Sequence, residues 1–315
     1  MTRYRNNLPQ MNGRQFLSDS GLETVMIFQE GFELPYFAAF TLLDTAKGRD
    51  ALSRYFDRHI DIALSQKMGF ILDTPTWRAS ADWGARLGLT DHDLDRINSA
   101  SVDFIAAIRQ RRETAETPMV LNGVLGPRGD GYHPDRLMMP AEAQGYHSAQ
   151  IASFAATAAD MVSAITMTHV GEAIGIARAA KEAGLPAVIS FTVETDGALP
   201  TGQALAEAVA ETDAATSKSP AYYMVNCAHP SHFIDKLTPG APWMQRIRGI
   251  RANASKRSHA ELDEAQDLDD GNPVEMGAEY SKIQSLHPQV TVYGGCCGTD
   301  HRHIAEISAA VKRAA

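Results

Sequence analysis

A chain of 315 residues, 44% hydrophobic and 21% charged, has the composition of a folded globular protein and the length of one large domain or two ordinary ones. Its net charge of −9 and its scattered basic residues argue against nucleic acid as a partner. No apolar run approaches the ~20 residues needed to cross a bilayer, and the polar start lacks the apolar core of a signal peptide, so a cytoplasmic protein without a membrane partner is expected.

In chain order, short apolar runs predict strands at Phe16–Ser18, Phe70–Asp73, Met119–Leu121 and Met161–Ile165, then Ala187–Thr192, Tyr222–Asn226, Arg248–Arg251 and Val290–Tyr293. Between them, apolar residues recur at three- and four-residue spacing, as in "ALSRYFDRHIDIALSQKMG" and "GEAIGIARAAKEAGLP", which predicts helices. The basic cluster Arg109, Arg111 and Arg112 falls in one such helix and reads as a solvated face. Alternating strands and helices in this number fit an α/β fold, a (β/α)8 TIM barrel, as a single domain over residues 1–315. A doubly wound open sheet is the rival, but no Gly-x-Gly-x-x-Gly turn follows the first strand. The polar, acidic stretch at about 254–273 reads as an insertion after strand seven, either a solvated surface segment or a lid.

The chain has three cysteines, an odd number that argues against a disulfide framework and moves metal or thiol chemistry forward. Cys227 follows strand six directly, and Cys296 and Cys297 follow strand eight within "YGGCCGTD". In an eight-fold barrel both places lie at the C-terminal mouth, where the chemistry of this architecture sits. Adjacent strand residues point to opposite sides, so two neighbouring cysteines need a turn to share a metal. Gly294, Gly295 and Gly298 permit one. Three thiolates with an open fourth position suit a catalytic zinc. A closed structural zinc completed by His229, inert buried cysteines and a disulfide between the neighbouring cysteines are the alternatives. His301 and His303 read as surface or capping residues.

With Asn226-Cys227 and Gly294-Gly-Cys-Cys-Gly-Thr299 in these positions, the sequence resembles the homocysteine S-methyltransferase family of zinc-dependent (β/α)8 barrels. Asp19-Ser-Gly-Leu-Glu-Thr24 resembles the family's Asp-Gly-Gly-x-x-Thr turn, and "DTPTWRAS" its segment after strand two. The resemblance implies Cys227, Cys296 and Cys297 as zinc ligands and Asp19 as the catalytic residue of the thiol and donor site. Ser20, Gly21, Glu23, Trp77, Asn226 and Glu194 are the substrate-binding candidates. It further implies methyl transfer from a cationic donor, S-methylmethionine or S-adenosylmethionine, to a small thiol, by default homocysteine. Trp77 and Tyr293 are candidates to hold the donor's cation over a ring.

One position departs from the family. After strand four the family carries a Glu that receives the homocysteine amine, and here Ile165 stands in its place, followed by Thr166. An apolar side chain cannot pair an ammonium group. Either another acid meets the amine, with Glu23, Glu194 and Asp196 as candidates, or the acceptor is a different thiol. A zinc hydrolase and a non-catalytic zinc-binding protein are the remaining alternatives.

Overall fold

Every predicted strand forms, and eight parallel strands close into one barrel in chain order. The structure is a computed structural model that describes all residues except Met1, Asp135, Gln266 and Ala315. The strands are β1 Phe16–Leu17, β2 Gly69–Asp73, β3 Met119–Leu125, β4 Met161–Met167, β5 Ala187–Thr192, β6 Tyr222–Asn226, β7 Ile247–Ala252 and β8 Val292–Gly295. β1 pairs with both β2 and β8, which closes the barrel. The principal helix after each strand is, in turn, α1 Ala46–Gln66, α2 Asp91–Arg112, α3 Pro140–Ala155, α4 Val170–Glu182, α5 Leu205–Thr216, α6 Pro230–Phe233, α7 Pro273–Leu286 and α8 His301–Ala314. No helix among the described residues is long and apolar enough to cross a membrane.

The strands read as nearly continuous apolar runs because both faces are covered, as parallel sheets require. Alternation still sorts them. Phe16, Ile71, Val120, Met161, Val188, Tyr222 and Val292 form the barrel interior. Their neighbours Leu17, Phe70, Leu72, Leu121, Val162, Ile189 and Tyr223 face the helices. The chain before β1 seals the bottom, with Leu8 and Met11 packed on the interior cluster and the Arg3 and Tyr4 amides donating to Asp160. Asp160 also takes an ion pair from Arg109 at 2.6 Å. Arg109 is therefore buried, contrary to the solvated face expected for it, because α2 turns this arginine toward Asp160, the residue just before β4.

Six of the eight strands have boundaries one to four residues from those predicted, with β3 reaching Leu125 and β4 reaching Met167. β8 starts at Val292 rather than Val290 and runs on through Gly294 and Gly295, since the pair of glycines still makes ladder bonds to β7. The segment after β7 carries a short helix, His259–Asp263, started by a capping box in which Ser258 and Glu261 satisfy each other's backbone amides.

Candidate metal centre and active site

The same period-two alternation that fills the barrel with apolar side chains puts a polar layer at its upper end. Two residues beyond Ile71 comes Asp73, beyond Val120 comes Asn122, beyond Met224 comes Asn226, and Arg251 is the penultimate residue of β7. Asn122 donates to Asp73 at 2.7 Å, and Ser163 donates to Asn122 at 3.0 Å. Arg251, almost fully buried, donates to both Asp73 and Asp19. Tyr55 on α1 adds a hydrogen bond to Asp19 at 3.2 Å. Burial pushes Asp73 up to about 6 and also raises Asp19, with Arg251 pulling both back down. The ion-pair layer forms the floor beneath the cysteines.

On this floor β6 and β8 deliver the sulfurs. Cys227 adopts a positive φ of 52°, a left-handed conformation that bends the chain out of the strand. After β8, Gly298 at φ 79° reverses the chain. Gly21 lets the β1 turn approach the cysteine loop, since a Cβ there would sit 2.5 Å from the Cys296 carbonyl oxygen. The Cys227, Cys296 and Cys297 sulfurs all lie within 4.8 Å of one another. Cys227 and Cys296 are in direct contact, bonded as a disulfide, and Cys297 is free. A bonded pair was not expected from the odd cysteine count. Its physical origin is the convergence of the β6 and β8 ends on one point, which is also what a shared metal requires.

Three sulfurs and no fourth carboxylate or imidazole make up this group, among the described residues. Soft thiolate donors in this number fit zinc with one position left for a substrate. His229 is not a fourth ligand here. Its Nδ1 faces the Ser231 hydroxyl at 2.8 Å and accepts from the Ser231 amide, capping α6.

A cover lies over the sulfurs. The Tyr132 hydroxyl, from the loop after β3, donates to Cys297 Sγ at 3.4 Å. Its ring stacks on His259, with centroids 4.1 Å apart and planes 10° apart. His259 comes from the segment after β7, and its Nε2 meets the Cys227 carbonyl at 2.7 Å while Nδ1 meets Glu194 at 2.9 Å. Burial pushes the Cys297 thiol up, and the Tyr132 hydrogen bond opposes that rise. A separate cleft of about 630 Å³, lined by Arg58, Asp61, His301 and Arg302, lies on the outer helical face and contains none of these residues.

The family model for homocysteine S-methyltransferase matches residues 26–311. The chain belongs to the homocysteine S-methyltransferase family. Its activity class is thiol S-methyl transfer. Among solved structures it is similar to the homocysteine methyltransferase MmuM from Escherichia coli. The metallated form shares 16% identity at a TM-score of 0.69, covering 94% of this chain and 96% of that one. The oxidized form shares 16% identity at a TM-score of 0.72, covering 98% and 99%. A search of curated proteins returns no match.

For this homocysteine S-methyltransferase family member, the sequence candidates fall into three groups. Gly21, Asn226 and the cysteines meet at the mouth. Asn226 accepts from the Thr166 amide at 3.0 Å and donates to the Thr166 hydroxyl at 2.8 Å, holding a bulge in β4 where Thr166 takes a φ of 68°. Glu23 is half-buried there, pushed up to about 7 by burial, a rise that the hydrogen bond from its own backbone amide opposes. Asp19 lies one layer lower, in the ion-pair floor. Glu194 sits behind His259.

The other candidates point elsewhere or meet protein partners. Ser20 spends its hydroxyl on His59, at 2.8 Å, and on Tyr55. Trp77 donates from Nε1 to the Ile165 carbonyl at 3.1 Å, and the cation on its face is Arg78, at 3.8 Å. Tyr293 is fully buried among the residues that face the helices, not the site. Ile165 is buried in the barrel-interior cluster, and Asp196 is exposed, capping the Ala198 amide. His303 is buried and accepts from the Asp300 amide at the start of α8.

Four contributors were not anticipated: Arg251 and Asp73, legible only by extending the inward alternation of β7 and β2, Tyr132, and His259, flagged only by the Ser258-x-x-Glu261 capping signature beside it.

Proposed function

We propose that this protein is a zinc-dependent S-methyltransferase that carries a methyl group from a sulfonium donor, S-methylmethionine or S-adenosylmethionine, to homocysteine, giving methionine. The observation that carries this reading is the meeting of Cys227, Cys296 and Cys297 at the barrel mouth with no fourth protein ligand in the group among the described residues. Zinc held by these sulfurs would keep an acceptor thiol deprotonated at neutral pH, where a free thiol of pKa about 8.5 is mostly protonated.

The chain's own residues do the rest. The acceptor's lone pair forms the new S–C bond while the donor's C–S bond breaks, its electrons staying on the donor sulfur, so a sulfonium leaves as a neutral thioether. The acceptor's proton goes to solvent. Such a transfer needs alignment and the exclusion of water more than acid or base groups. Tyr132 and His259 cover the sulfurs from above, and the Asp19–Arg251–Asp73 layer closes them from below. Asp19 is a positioning residue in this reading, because both its oxygens are engaged by Arg251 and Tyr55. The test is to reduce the protein, load it with zinc, and assay methionine formation from homocysteine with each sulfonium donor. One zinc per chain and turnover with a sulfonium donor are expected. A reduced protein that takes up no zinc would overturn the reading.

A further inference from the structure

Three buried ionisable residues gather where the chain leaves β4: His169, just before α4, Glu172 in the first turn of α4, and His147 on α3. A buried carboxylate needs donors. Glu172 is met by His147 Nε2 at 2.9 Å and by the Arg128 backbone amide at 2.7 Å. His169 is met by the Met138 amide, which donates to its Nε2 at 3.0 Å. An amide only donates, so Nε2 holds the lone pair and the ring proton sits on Nδ1. That nitrogen faces the Thr168 hydroxyl at 3.3 Å and the Glu172 carboxylate at 3.8 Å.

Arg128 and Met138 are the two roots of one loop, the chain between Leu125 at the end of β3 and Pro140 at the start of α3. Gly171 lets the second root come close, since a Cβ there would stand 2.2 Å from the Met138 carbonyl oxygen. The Arg128 side chain fastens the first root again, pairing with Asp82 at 2.7 Å and Glu142 at 3.0 Å. Between the roots the loop turns on Asp130, which accepts from the Tyr132 and His133 amides at 2.7 and 3.1 Å. It crosses the site at Gly131, where a Cβ would stand 3.2 Å from the Trp77 ring and 3.3 Å from the Thr166 methyl. The turn delivers Tyr132 to Cys297.

We propose that His169 and Glu172 are positioning residues for methyl transfer: they clamp both roots of the β3 loop and so hold Tyr132 on Cys297. One phenol-to-sulfur bond does not offset the entropy of ordering the loop that carries it. Two buried anchors at the roots supply what that bond lacks. The clamp lies on α4 and touches no sulfur, so its effect on the centre passes through Tyr132.

The side chain of His169 can be exchanged to test this. A glutamine oxygen reaches the place of Nε2 and can accept from the Met138 amide, whereas an asparagine oxygen reaches only that of Nδ1. In reduced, zinc-free protein, the pH midpoint of Cys297 alkylation is read by mass spectrometry of its peptide. His169→Asn should raise it by about 0.5–1 unit, the size of one hydrogen bond to the thiolate. His169→Gln should leave it near wild type. Glu172→Leu frees the other root and should reproduce the rise. In a Tyr132→Phe background neither substitution should add to the shift, because the group they act through is gone. Circular dichroism identifies folded variants, and if His169→Asn does not fold, Glu172→Leu decides. An unmoved midpoint overturns the proposal, as do equal shifts in His169→Asn and His169→Gln or a shift that adds to that of Tyr132→Phe. A kinetic arm rests on the methyl-transfer function proposed above: in zinc-loaded His169→Asn, kcat should fall at least about tenfold while KM for homocysteine changes less. A wild type that methylates no thiol removes that function but leaves the alkylation result standing, so the two failures are distinct.

Discussion

Replacing Arg251 by methionine tests the reading of the floor. The guanidinium is buried, donates to Asp19 and Asp73, and gives a further bond to the Gly295 carbonyl at 3.3 Å. Methionine keeps much of the volume and leaves two buried carboxylates facing each other. Removing one partner of a buried ion pair costs about 3–5 kcal/mol. At about 2.1 cal/mol/K per residue, a chain of 315 residues carries about 0.7 kcal/mol/K of unfolding entropy at its midpoint, so Tm should fall by about 5–8 °C at pH 8.

The pH dependence fixes the cause. Burial already holds Asp73 up at about 6, above an unfolded value near 3.9, and Arg251 is what restrains it and Asp19. Between those two values the native state binds a proton that the unfolded chain does not, so stability falls as pH rises. Without Arg251 both carboxyls rise further and the window extends above pH 6. The Tm gap between variant and wild type should therefore be widest at pH 8 and close as pH drops to about 5. Scanning calorimetry at four or five pH values reads this directly. An unchanged Tm at pH 8, or a gap that widens on acidification, would falsify the argument.

Other substitutions probe the sulfurs and their cover. Cys227→Ser, Cys296→Ser and Cys297→Ser should each lower zinc content below one per chain, measured by elemental analysis after reduction; full retention in the double variant Cys296→Ser/Cys297→Ser would sink the ligand assignment. Tyr132→Phe removes the donor that stabilises the Cys297 thiolate, so in reduced, zinc-free protein the alkylation midpoint of Cys297 should move to higher pH; a midpoint that stays or falls speaks against that bond. Gly21→Ala places a Cβ 2.5 Å from the Cys296 carbonyl, so the loop must move by about 1 Å to restore ordinary contact, and zinc affinity should drop at least about tenfold in chelator competition. Unaltered affinity would mean that the β1 turn does not shape the metal loop.

Much of this molecule was legible in its sequence, for physical reasons that also mark the limits. β5 and β6 fall on their predicted residues because Ala187–Thr192 and Tyr222–Asn226 are apolar runs with no ambiguous flank. β8 was misplaced because glycines carry no apolar signal, yet their backbones pair as well as any. The cysteines were found because cysteine is scarce in this chain and its position relative to strand ends is informative. Arg251 was missed for the opposite reason: an arginine at a strand end is commonplace, and only closure of the barrel brings it against Asp19 and Asp73, 232 and 178 residues away in sequence. His259 lies in a polar acidic stretch, where nothing but a capping box hinted at order. Trp77 looked like a cation seat and is one, although the cation it meets is Arg78.

β7 contributes no sulfur, yet it splints both segments that do. The Cys227 amide donates to the Arg251 carbonyl at 3.1 Å, the Cys296 amide to the Ala252 carbonyl at 2.8 Å, and the Ala254 amide to the Cys297 carbonyl at 3.0 Å. These bonds are made by main-chain atoms, which any residue but proline supplies in full. Apart from Arg251, whose guanidinium ties the floor together, side chains along β7 can thus be exchanged during divergence while the sulfurs keep their mutual spacing. A barrel wired this way can change which thiol it accepts without rebuilding the centre that activates it.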